Sequence, residues 1–583
     1  MCDKSLTFTC DDGAELYYRH WSAPSPHAGA ARKAVILLHR GHEHSGRIEH
    51  LVNELKMPDF DFFAWDARGH GQSSGGREGN PDFMTLVKDL QAFCDHIIEQ
   101  HVVEATNIAV VAQSVGAVVA ATWVHDYAPR IRSLVLASPA FSVKLYIPFA
   151  RVGLRLLRRL RGNFFVSSYV NPRFLTRDGK RAASYDKDPL ITKAISVDVL
   201  LGMHESAQRV VADADAIQVP TQLLISGSDL VVHRKPQDRF YDRLGSRCKE
   251  RQVFAGLLHD TLGERDRASM VASCRRFILQ SFTLPTDHCS LLNAHLSGGT
   301  CAESEALARP LPHHSLSDFY WRAARAGIRL GSALSVGLKL GRDTGFDSGS
   351  TLDYVYQDLA QGTSKAGRLI DRTYLNSIGW KGIRQRKLHL EQLLRMAMNR
   401  LSSEAREIHI VDIAAGHGRY ILDAIQGVSP PAKSILLRDY SDINVREGTA
   451  LIAQKGLTEI ASFEQGDAFD RENLATLGKP TLAVVSGLYE LFADNQLVRT
   501  SLDGLAQAVE PGGYLIYTNQ PWHPQLEFIA RALTSHREGQ PWVMRRRIQV
   551  EMDQLVEAAG FKKLTQHIDE WGIFSVSLAQ RVL

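Results

Sequence analysis

A serine flanked by small residues is the first group in this sequence equipped for chemistry. Ala112-Gln113-Ser114-Val115-Gly116 stands where the apolar run IAVVAQS gives way to the helical stretch AVVAATWVHDY. A strand that turns sharply into a helix needs small side chains two before and two after the serine, and it holds the hydroxyl above the sheet near a helix N-terminus. Ala112 replaces the glycine more usual at the first of those positions, small for small. A serine nucleophile also needs a base and an acid that orients it. Asp229 follows the run TQLLISG and His259 lies in LLHDTLGE after RQVFAG, so the three residues each come after a strand, in the order Ser, Asp, His. His233 is the rival base, but it sits too close after Asp229 to share one strand-end geometry. An oxyanion hole requires two backbone N–H donors, each worth roughly 3 kcal/mol. Val115 supplies one, and the loop His39-Arg40-Gly41-His42-Glu43-His44-Ser45-Gly46-Arg47 the other. The three histidines of that loop match no tetrahedral zinc spacing, so no metal is expected.

A second group of candidates lies in the C-terminal half. Asp412-Ile413-Ala414-Ala415-Gly416-His417-Gly418-Arg419 follows the run IHIV and opens the helix YILDAI. A glycine-rich turn there lets a ligand approach the backbone and the helix N-terminus. A dinucleotide-binding turn would read G-x-G-x-x-G, and this one does not. Asp439 ends the run SILLRDY about twenty residues on, where an acidic side chain can take two ribose hydroxyls. Gly466-Asp467-Ala468 follows SFEQ and places a further carboxylate for an exocyclic amine. Tyr489, Glu490 and His523 are candidate bases at strand ends. The stretch Tyr374–Lys387 either folds over a cofactor or forms a basic surface helix, and Arg545-Arg546-Arg547 reads as a solvated charge run.

The elements that must position these residues are legible from hydrophobic pattern. AVILLH (34–39), FFAWD (62–66), IAVVAQS (108–114), SLVLAS (133–138) and TQLLISG (221–227) are near-continuous apolar runs, as strands buried on both faces require. Helical stretches alternate with them, which specifies a parallel α/β sheet covered on both sides. From about 140 to 205 the rhythm breaks into a segment with no clean strand and many arginines, read as an inserted cap. Within it Arg151, Arg155, Arg158, Arg159 and Arg161 alternate with Leu and Val at helical spacing. Such a helix either lies on anionic lipid or packs its leucines inward with the arginines solvated. A stretch rich in Pro, His and small residues, 284–315, reads as a linker, followed by a helical lead over 316–380. Alternation resumes over 381–583 with IHIVDIA, SILLRDY, TLAVVSG and GYLIYTN, and closes with two runs joined by a short turn as an antiparallel hairpin. The expectation is two α/β domains, 1–283 and 381–583, with separate sites.

Composition narrows the setting. The chain has 583 residues, 44% of them hydrophobic, and a formal net charge of +4 from 68 basic and 64 acidic residues. That near balance, with no basic–aromatic stripes, argues against a nucleic-acid partner. Seven scattered cysteines without a C-x-x-C fit a reducing cytoplasm better than a disulfide framework. No apolar run approaches ~18 residues and the first residues lack a signal peptide's apolar core, so the expected location is cytoplasmic.

Together HRGHEHSGR, DARGHGQSSG, AQSVG, SGSD and LLHDTLGE resemble the α/β-hydrolase branch of monoacylglycerol lipases and lysophospholipases, over roughly residues 5–283. The resemblance implies Ser114 as nucleophile, Asp229 as orienting acid, His259 as base, and Gly41 and Val115 as oxyanion donors. One departure is Arg40, where that family usually has glycine; it either crowds the acyl pocket or meets an anionic headgroup. The second series resembles class I S-adenosylmethionine-dependent methyltransferases over roughly 380–583. The resemblance implies that Asp412, Ala414, Gly416 and Gly418 cradle the methionine and ribose part of S-adenosylmethionine, that Asp439 binds the ribose, and that Asp467 with Ala468 reads adenine. No N-P-P-Y and no cysteine follows the fourth strand, which disfavours amide-nitrogen and C5-pyrimidine methylation. As a whole the chain resembles bacterial bifunctional α/β-hydrolase/methyltransferase proteins. That implies a role near lipid or envelope metabolism without a defined reaction. The preferred reading is an ester hydrolase for acylglycerol or lysophospholipid-like substrates joined to a small-molecule or lipid methyltransferase, with peripheral contact of the arginine-rich cap with anionic membrane as a further expectation. Two alternatives stay open: a nucleic-acid or protein methyltransferase carrying a vestigial hydrolase module, and an acyltransferase at Ser114.

Overall fold

The five apolar runs of the N-terminal half form the centre of an eight-stranded sheet. The computed structural model describes residues 4–23, 31–75, 81–147, 149–167, 170–285, 289–429, 431–537 and 539–582. It divides into two units, Met1–Cys289 and Ser290–Leu583. Strands of the first unit are β1 (Lys4–Thr9), β2 (Glu15–Trp21), β3 (Lys33–Leu38), β4 (Phe60–Trp65), β5 (Ile108–Gln113), β6 (Ser133–Ala137), β7 (Phe165–Ser167), β8 (Ala194–Ser196), β9 (Thr221–Ser226) and β10 (Lys249–Phe254). The large sheet has the order β1-β2-β4-β3-β5-β6-β9-β10, parallel from β4 to β10 and antiparallel where β2 meets β1 and β4. Strands β4, β5, β6 and β9 are buried along their whole length, while the edge strand β10 carries Lys249 and Glu250 half-buried and Arg251 exposed. On one face the helix Ala268–Ser281 packs Met270, Phe277 and Ile278 against Val35, Leu37, Phe62 and Val111.

The insert between β6 and β9 holds the helices Ala150–Arg161, Pro172–Leu175 and Gly179–Lys187 and the short antiparallel pair β7–β8. It ends at Ser196, earlier than the expected boundary near 205. The next helix, Val197–Ala212, belongs to the body: Arg209 donates to Asp126 at 2.9 Å, and His125 bonds Asp213 at 2.8 Å. Of the two alternatives for the arginine-rich helix, the one with leucines packed inward and arginines solvated does not describe its orientation. It buries no residue, Leu160 is 74% and Phe149 just before it 86% exposed, and Val152 and Leu156 are exposed as well. Its inner side is the polar one, because Arg151, Arg155 and Arg158 meet His204, Glu205 and Asp198 on Val197–Ala212. Arg159 and Arg161 stand exposed.

The second unit contains β11 (His409–Asp412), β12 (Ser434–Asp439), β13 (Ala461–Gln465), β14 (Leu482–Val485), β15 (Tyr514–Asn519), β16 (Phe561–Ile568) and β17 (Ser575–Arg581). Their order is β13-β12-β11-β14-β15-β17-β16, parallel except for β17, which runs antiparallel between β15 and β16. Side chains alternate between the faces. Ile410, Val484 and Ile516 meet Leu390, Leu394 and Leu401 of the helix Ile378–Ser403, while Val411, Ala483 and Leu515 meet Val498, Leu502 and Met552 on the other side. Four helices, Leu316–Gly331, Val336–Thr344, Gly349–Gln357 and Lys365–Leu375, make up the expected helical lead. Part of the expected linker is also structured. Gly299–Ala308 is a helix whose Thr300 and Glu303 accept from Arg545 and Arg546; residues 286–288 lie outside the described residues.

The run Arg545-Arg546-Arg547 is not a solvated face but lies inside the second unit. Arg545 donates to Glu551 at 2.6 Å and to Asn495 at 2.7 Å, and Arg547 donates to the carbonyls of Tyr489 and Phe492. These guanidiniums tie the carbonyls of the Tyr489–Phe492 turn to the Glu551 carboxylate and the Asn495 side chain through charge-assisted hydrogen bonds. No helix among the described residues is long and apolar enough to cross a membrane. Removing one partner of a buried charge pair leaves the other uncompensated, which costs about 3 kcal/mol or more. Glu551→Gln is therefore expected to lower the stability of the second unit by about 3 kcal/mol in urea unfolding; a change within experimental error would show that Arg545 is neutralised elsewhere.

Candidate functional site

Each strand of a parallel sheet delivers its carboxyl end to one edge, and both candidate sites lie at such edges. At the end of β5 the chain turns into the helix Val115–Tyr127 through Ser114, whose φ of 55° and ψ of −114° are unusual for a residue with a side chain. Its N–H donates to Ala137 of β6 and its carbonyl accepts from Ala140, so the strained turn is clamped on both sides. Gly116 is required by close approach: a Cβ there would stand 2.4 Å from the carbonyl oxygen of His39. Gly41 lies against Val115, since a Cβ at Gly41 would be 2.9 Å from Val115 Cγ2.

The structure brings Ser114, His259 and Asp229 together. Ser114 Oγ and His259 Nε2 are 2.7 Å apart, and His259 Nδ1 stands 2.7 Å from Asp229 Oδ2. The other Asp229 oxygen accepts from the N–H groups of Val231 and Val232. Burial would raise the Asp229 carboxyl, but His259 and those two N–H groups outweigh it and hold the group below its ordinary value. The imidazole is thus fixed with a proton on Nδ1 and a lone pair on Nε2 toward the serine. His233 is exposed at the start of the helix Arg234–Arg243 and stands outside this constellation.

A buried ionic lattice holds the loop that carries His259. Asp260 accepts from Gln113 at 2.9 Å and from Arg181 of the cap, and Arg40 stands 3.5 Å away. Arg40 is itself gripped by both oxygens of Glu43 at 2.7 Å. Burial would raise Asp260, yet Arg40 and Arg181 lower it far below the ordinary carboxylate range. Arg40 is only 3% exposed and completes this lattice, its guanidinium held between Glu43 and Asp260. The histidines of the same loop serve as struts: His39 bonds Arg40 O and the Ala67 N–H, while His42 and His44 reach Thr192 O and Asp188 in the cap. Asp260 directly follows His259 and was accessible to sequence reading, whereas Arg181 and Glu43 carried no signal pointing to it.

In the second unit the turn after β11 adopts the form a nucleotide cradle requires. Gly416 and Gly418 have φ of 57° and 73°, and a Cβ at Gly418 would meet Leu437 Cδ1 at 2.3 Å. Asp439, at the end of β12, holds this turn by accepting from the Gly416 N–H at 2.9 Å, and its other oxygen accepts from Ser441 and Asn444. Asp412 is fully buried, accepting from Tyr420 Oη at 2.5 Å and from the Ala414 N–H. Asp467 is exposed just beyond β13, with Ala468 buried beside it. Arg438, which sequence reading passed over, sits where a Cβ on Gly466 would touch its guanidinium, and its Nε and Nη1 are buried without a protein partner. The residues present fit S-adenosylmethionine: a turn with no side chain in the way, a carboxylate at the second strand end, and orphaned donors near the third.

The three candidate bases point in different directions. Tyr489 donates to Ser501 at 3.0 Å inside the core. Glu490 and His523 both line a cavity, together with Tyr374, Trp380 and Arg386 from the stretch read as either a cover or a basic surface helix. Trp380, Ile383 and Arg386 are buried, so that stretch is not a surface helix. Over the glycine turn itself stands the helix Gly349–Gln357, whose Asp353 pairs with Arg419.

With known proteins the chain agrees on both halves. Residues 274–581, more than half the chain, match the family model described as "Putative methyltransferase", and residues 29–266 match "Serine aminopeptidase, S33". The uncharacterized protein YnbC of Escherichia coli (strain K12) is 53% identical over 576 residues, covering 98% of each chain. Human monoglyceride lipase is 25% identical over 252 residues, 42% of this chain and 80% of that one. Among solved structures, the monoacylglycerol lipase of Paleococcus ferrophilus matches 46% of this chain and 99% of its own, at 22% identity and a TM-score of 0.40.

Burial raises the Asp412 carboxyl to about 7 from an ordinary 3.8, with Tyr420 and the Ala414 N–H opposing and Asp439 adding to the rise. Between these values the folded protein retains a proton that the unfolded chain has lost. Its contribution is therefore fully present below the unfolded value and is lost as pH rises toward 7. Asp412→Asn removes that cost, so calorimetry should show the second unit of the variant melting higher than wild type at pH 8. The gap should shrink by roughly half or more at pH 5. A gap independent of pH would mean that the carboxyl is not the source.

Proposed function

This chain belongs to the methyltransferase family whose model spans residues 274–581, with an α/β-hydrolase domain in its N-terminal half, and on that premise we propose that it is a two-site enzyme. The first site is a serine esterase for acylglycerol or lysophospholipid-like substrates; the second transfers a methyl group from S-adenosylmethionine. The observation that carries the first reading is the unbroken chain of 2.7 Å contacts from Ser114 through His259 to Asp229. Ser114 gives its proton to His259 Nε2 as Oγ attacks the ester carbonyl, and Asp229 stabilises the imidazolium through Nδ1. The N–H groups of Val115 and Gly41 receive the developing oxyanion. His259 then returns the proton to the leaving alcohol, and water releases the acyl group by the same route in reverse.

What supports a lipid-like ester is the likeness to monoglyceride lipases together with the cap helix. Its apolar side, Phe149, Val152, Leu156 and Leu160, faces solvent with Arg159 and Arg161 beside it, an arrangement suited to receiving an amphiphile or touching an anionic surface. What supports the second reading is the family and the glycine turn with Asp412 and Asp439. Gly416 and Gly418 admit the nucleoside to the backbone, Asp439 retains a lone pair on Oδ2 for a ribose hydroxyl, and Asp467 and Ala468 lie where the base would stand. S-adenosylmethionine, when bound, supplies an electrophilic methyl group, and the protein's part is positioning.

Ser114→Ala should abolish both fluorophosphonate labelling and hydrolysis of 2-oleoylglycerol, while Asp229→Asn should lower kcat by about 10⁴. Retained esterase activity in Ser114→Ala would refute the triad. Equilibrium dialysis with labelled S-adenosylmethionine should show binding to wild type and at least a tenfold loss in Asp439→Ala; equal binding by the two would remove Asp439 from the cofactor site.

A further inference from the structure

The second unit encloses a cavity of about 510 Å³ that neither the triad nor the glycine turn uses. This volume lies in the range that holds a drug-sized ligand. Its wall is largely apolar and aromatic, with Trp380, Phe528, Trp542 and Phe574 prominent. Gly487 and Glu490 enter it from the end of β14, and Gln520 and His523 from the end of β15. Because β14 pairs with β11, these residues share the sheet edge from which the glycine turn also emerges.

The polar groups of this wall are incompletely satisfied. Arg386 Nε, Glu490 Oε2, Gln520 Nε2 and Trp542 Nε1 are all buried without a hydrogen-bond partner. The residues themselves are 2%, 6%, 3% and 8% exposed. A buried unpaired group of this kind costs about 1–3 kcal/mol, so several on one cavity wall point to a ligand that completes them. Two other polar atoms of the set are engaged: Glu490 Oε1 accepts from Thr518 at 2.7 Å and Arg386 Nη2 donates to Tyr356 at 3.3 Å. His523 adds a further donor. Its Nδ1 accepts from the Gln525 N–H at 3.0 Å, and burial pushes its pKa down to about 3, so the ring is neutral with its proton on Nε2. The unpartnered buried atoms are thus three donors and one carboxylate oxygen on a largely apolar wall, with the His523 ring N–H beside them. An alkane body with one hydroxyl matches it: the hydroxyl proton goes to Glu490 and the hydroxyl oxygen accepts from the surrounding donors. A carboxylate ligand has no proton to give Glu490 and would face its charge.

We propose that this cavity is the methyl-acceptor site and that the acceptor is a lipophilic alcohol or phenol, its hydroxyl bonded to Glu490 Oε2. This rests on the methyltransferase reading above. As the acceptor oxygen bonds the methyl carbon, its proton passes to Glu490, and the carbon–sulfur pair remains on sulfur; the products are a methyl ether, a neutral thioether and a protonated Glu490 that yields its proton to solvent. Arg386, 4.0 Å from Glu490 Oε1 and stacked over Phe574, compensates the carboxylate before transfer.

Isothermal titration of the full chain with 4-nonylphenol, 4-nonylanisole and 4-nonylbenzoate tests this without turnover. The phenol is expected to bind at least tenfold more tightly than the anisole, which lacks the proton, and than the benzoate. In Glu490→Gln, whose amide can donate to an ether oxygen, the phenol–anisole ratio should fall below threefold. Leu352→Trp, at a half-buried lining position, should weaken both ligands tenfold or more. Equal binding of phenol and anisole, tightest binding of the benzoate, no binding of any of the three, or indifference to Leu352→Trp would each overturn the proposal. S-adenosylmethionine titrated into the same sample separates the two readings. Its failure to bind while the phenol binds would overturn the methyltransferase reading and the acceptor role with it; its binding beside an unselective cavity would overturn the acceptor inference alone.

Discussion

Both sites depend on one steric constraint: at the carboxyl edge of a parallel sheet the chain must leave a strand and enter a helix within a few residues. Where Gly116 passes the His39 carbonyl there is no room for a Cβ, and Ser114 accepts a left-handed φ as a result. The same tightness after β11 excludes side chains at Gly418, where Leu437 occupies the space. The two turns use this differently. In the first, one side chain is retained at the tip and its oxygen is presented at a helix N-terminus, which favours covalent chemistry. In the second, side chains are removed from the tip and the backbone itself becomes the binding surface, which favours holding a nucleoside.

Positioned turns alone do not hold a general base, and here the burial of charge matters. Asp260 follows His259 directly, so whatever fixes Asp260 also fixes the imidazole's backbone. Arg40 reaches it from the loop after β3, Gln113 from the end of β5, and Arg181 from the cap. The loop that carries His259 is thus locked to the loop after β3, the end of β5 and the cap through one carboxylate. An ionic lattice of this kind gains little net stability because its members lose hydration, but its geometry tolerates few alternatives. The buried trio Arg545, Arg546 and Arg547 is the counterpart in the second unit. A formal net charge of +4 is silent about both, since each lattice is nearly neutral within itself.

What sequence made legible follows from the same physics. The parallel strands announce themselves because burial on both faces leaves near-continuous apolar runs, and the order Ser, Asp, His is meaningful because each residue follows such a run. The orientation of the cap helix was not legible. Arginines and leucines alternate regularly, and which side packs is decided by Asp198, His204 and Glu205 on another element. Arg545–Arg547 looked solvated because partners supplied by Glu303, Asn495 and Glu551 are distant or unremarkable in sequence. Tyr489 and Glu490 are adjacent in a short turn, so sequence places both at a strand end but cannot say that one faces the core and the other the cavity.

The two sites differ in how complete they are before any ligand arrives. In the first unit the serine, imidazole and carboxylate satisfy one another, and even the second Asp229 oxygen has two backbone donors. That arrangement is preorganised: in the proposed esterase, substrate would add little to its hydrogen bonding, and binding energy would remain available for the transition state. In the second unit several polar atoms on an apolar wall lack partners altogether. Their unmet hydrogen bonds raise the free energy of the empty cavity relative to the filled one, so a fitting ligand gains affinity by satisfying them, and by mass action stabilises the unit that binds it. A wall built this way discriminates steeply, because a ligand lacking the matching proton leaves a carboxylate oxygen buried and unpaired. On the reading proposed above, specificity at the second site resides in the polar end of the cavity.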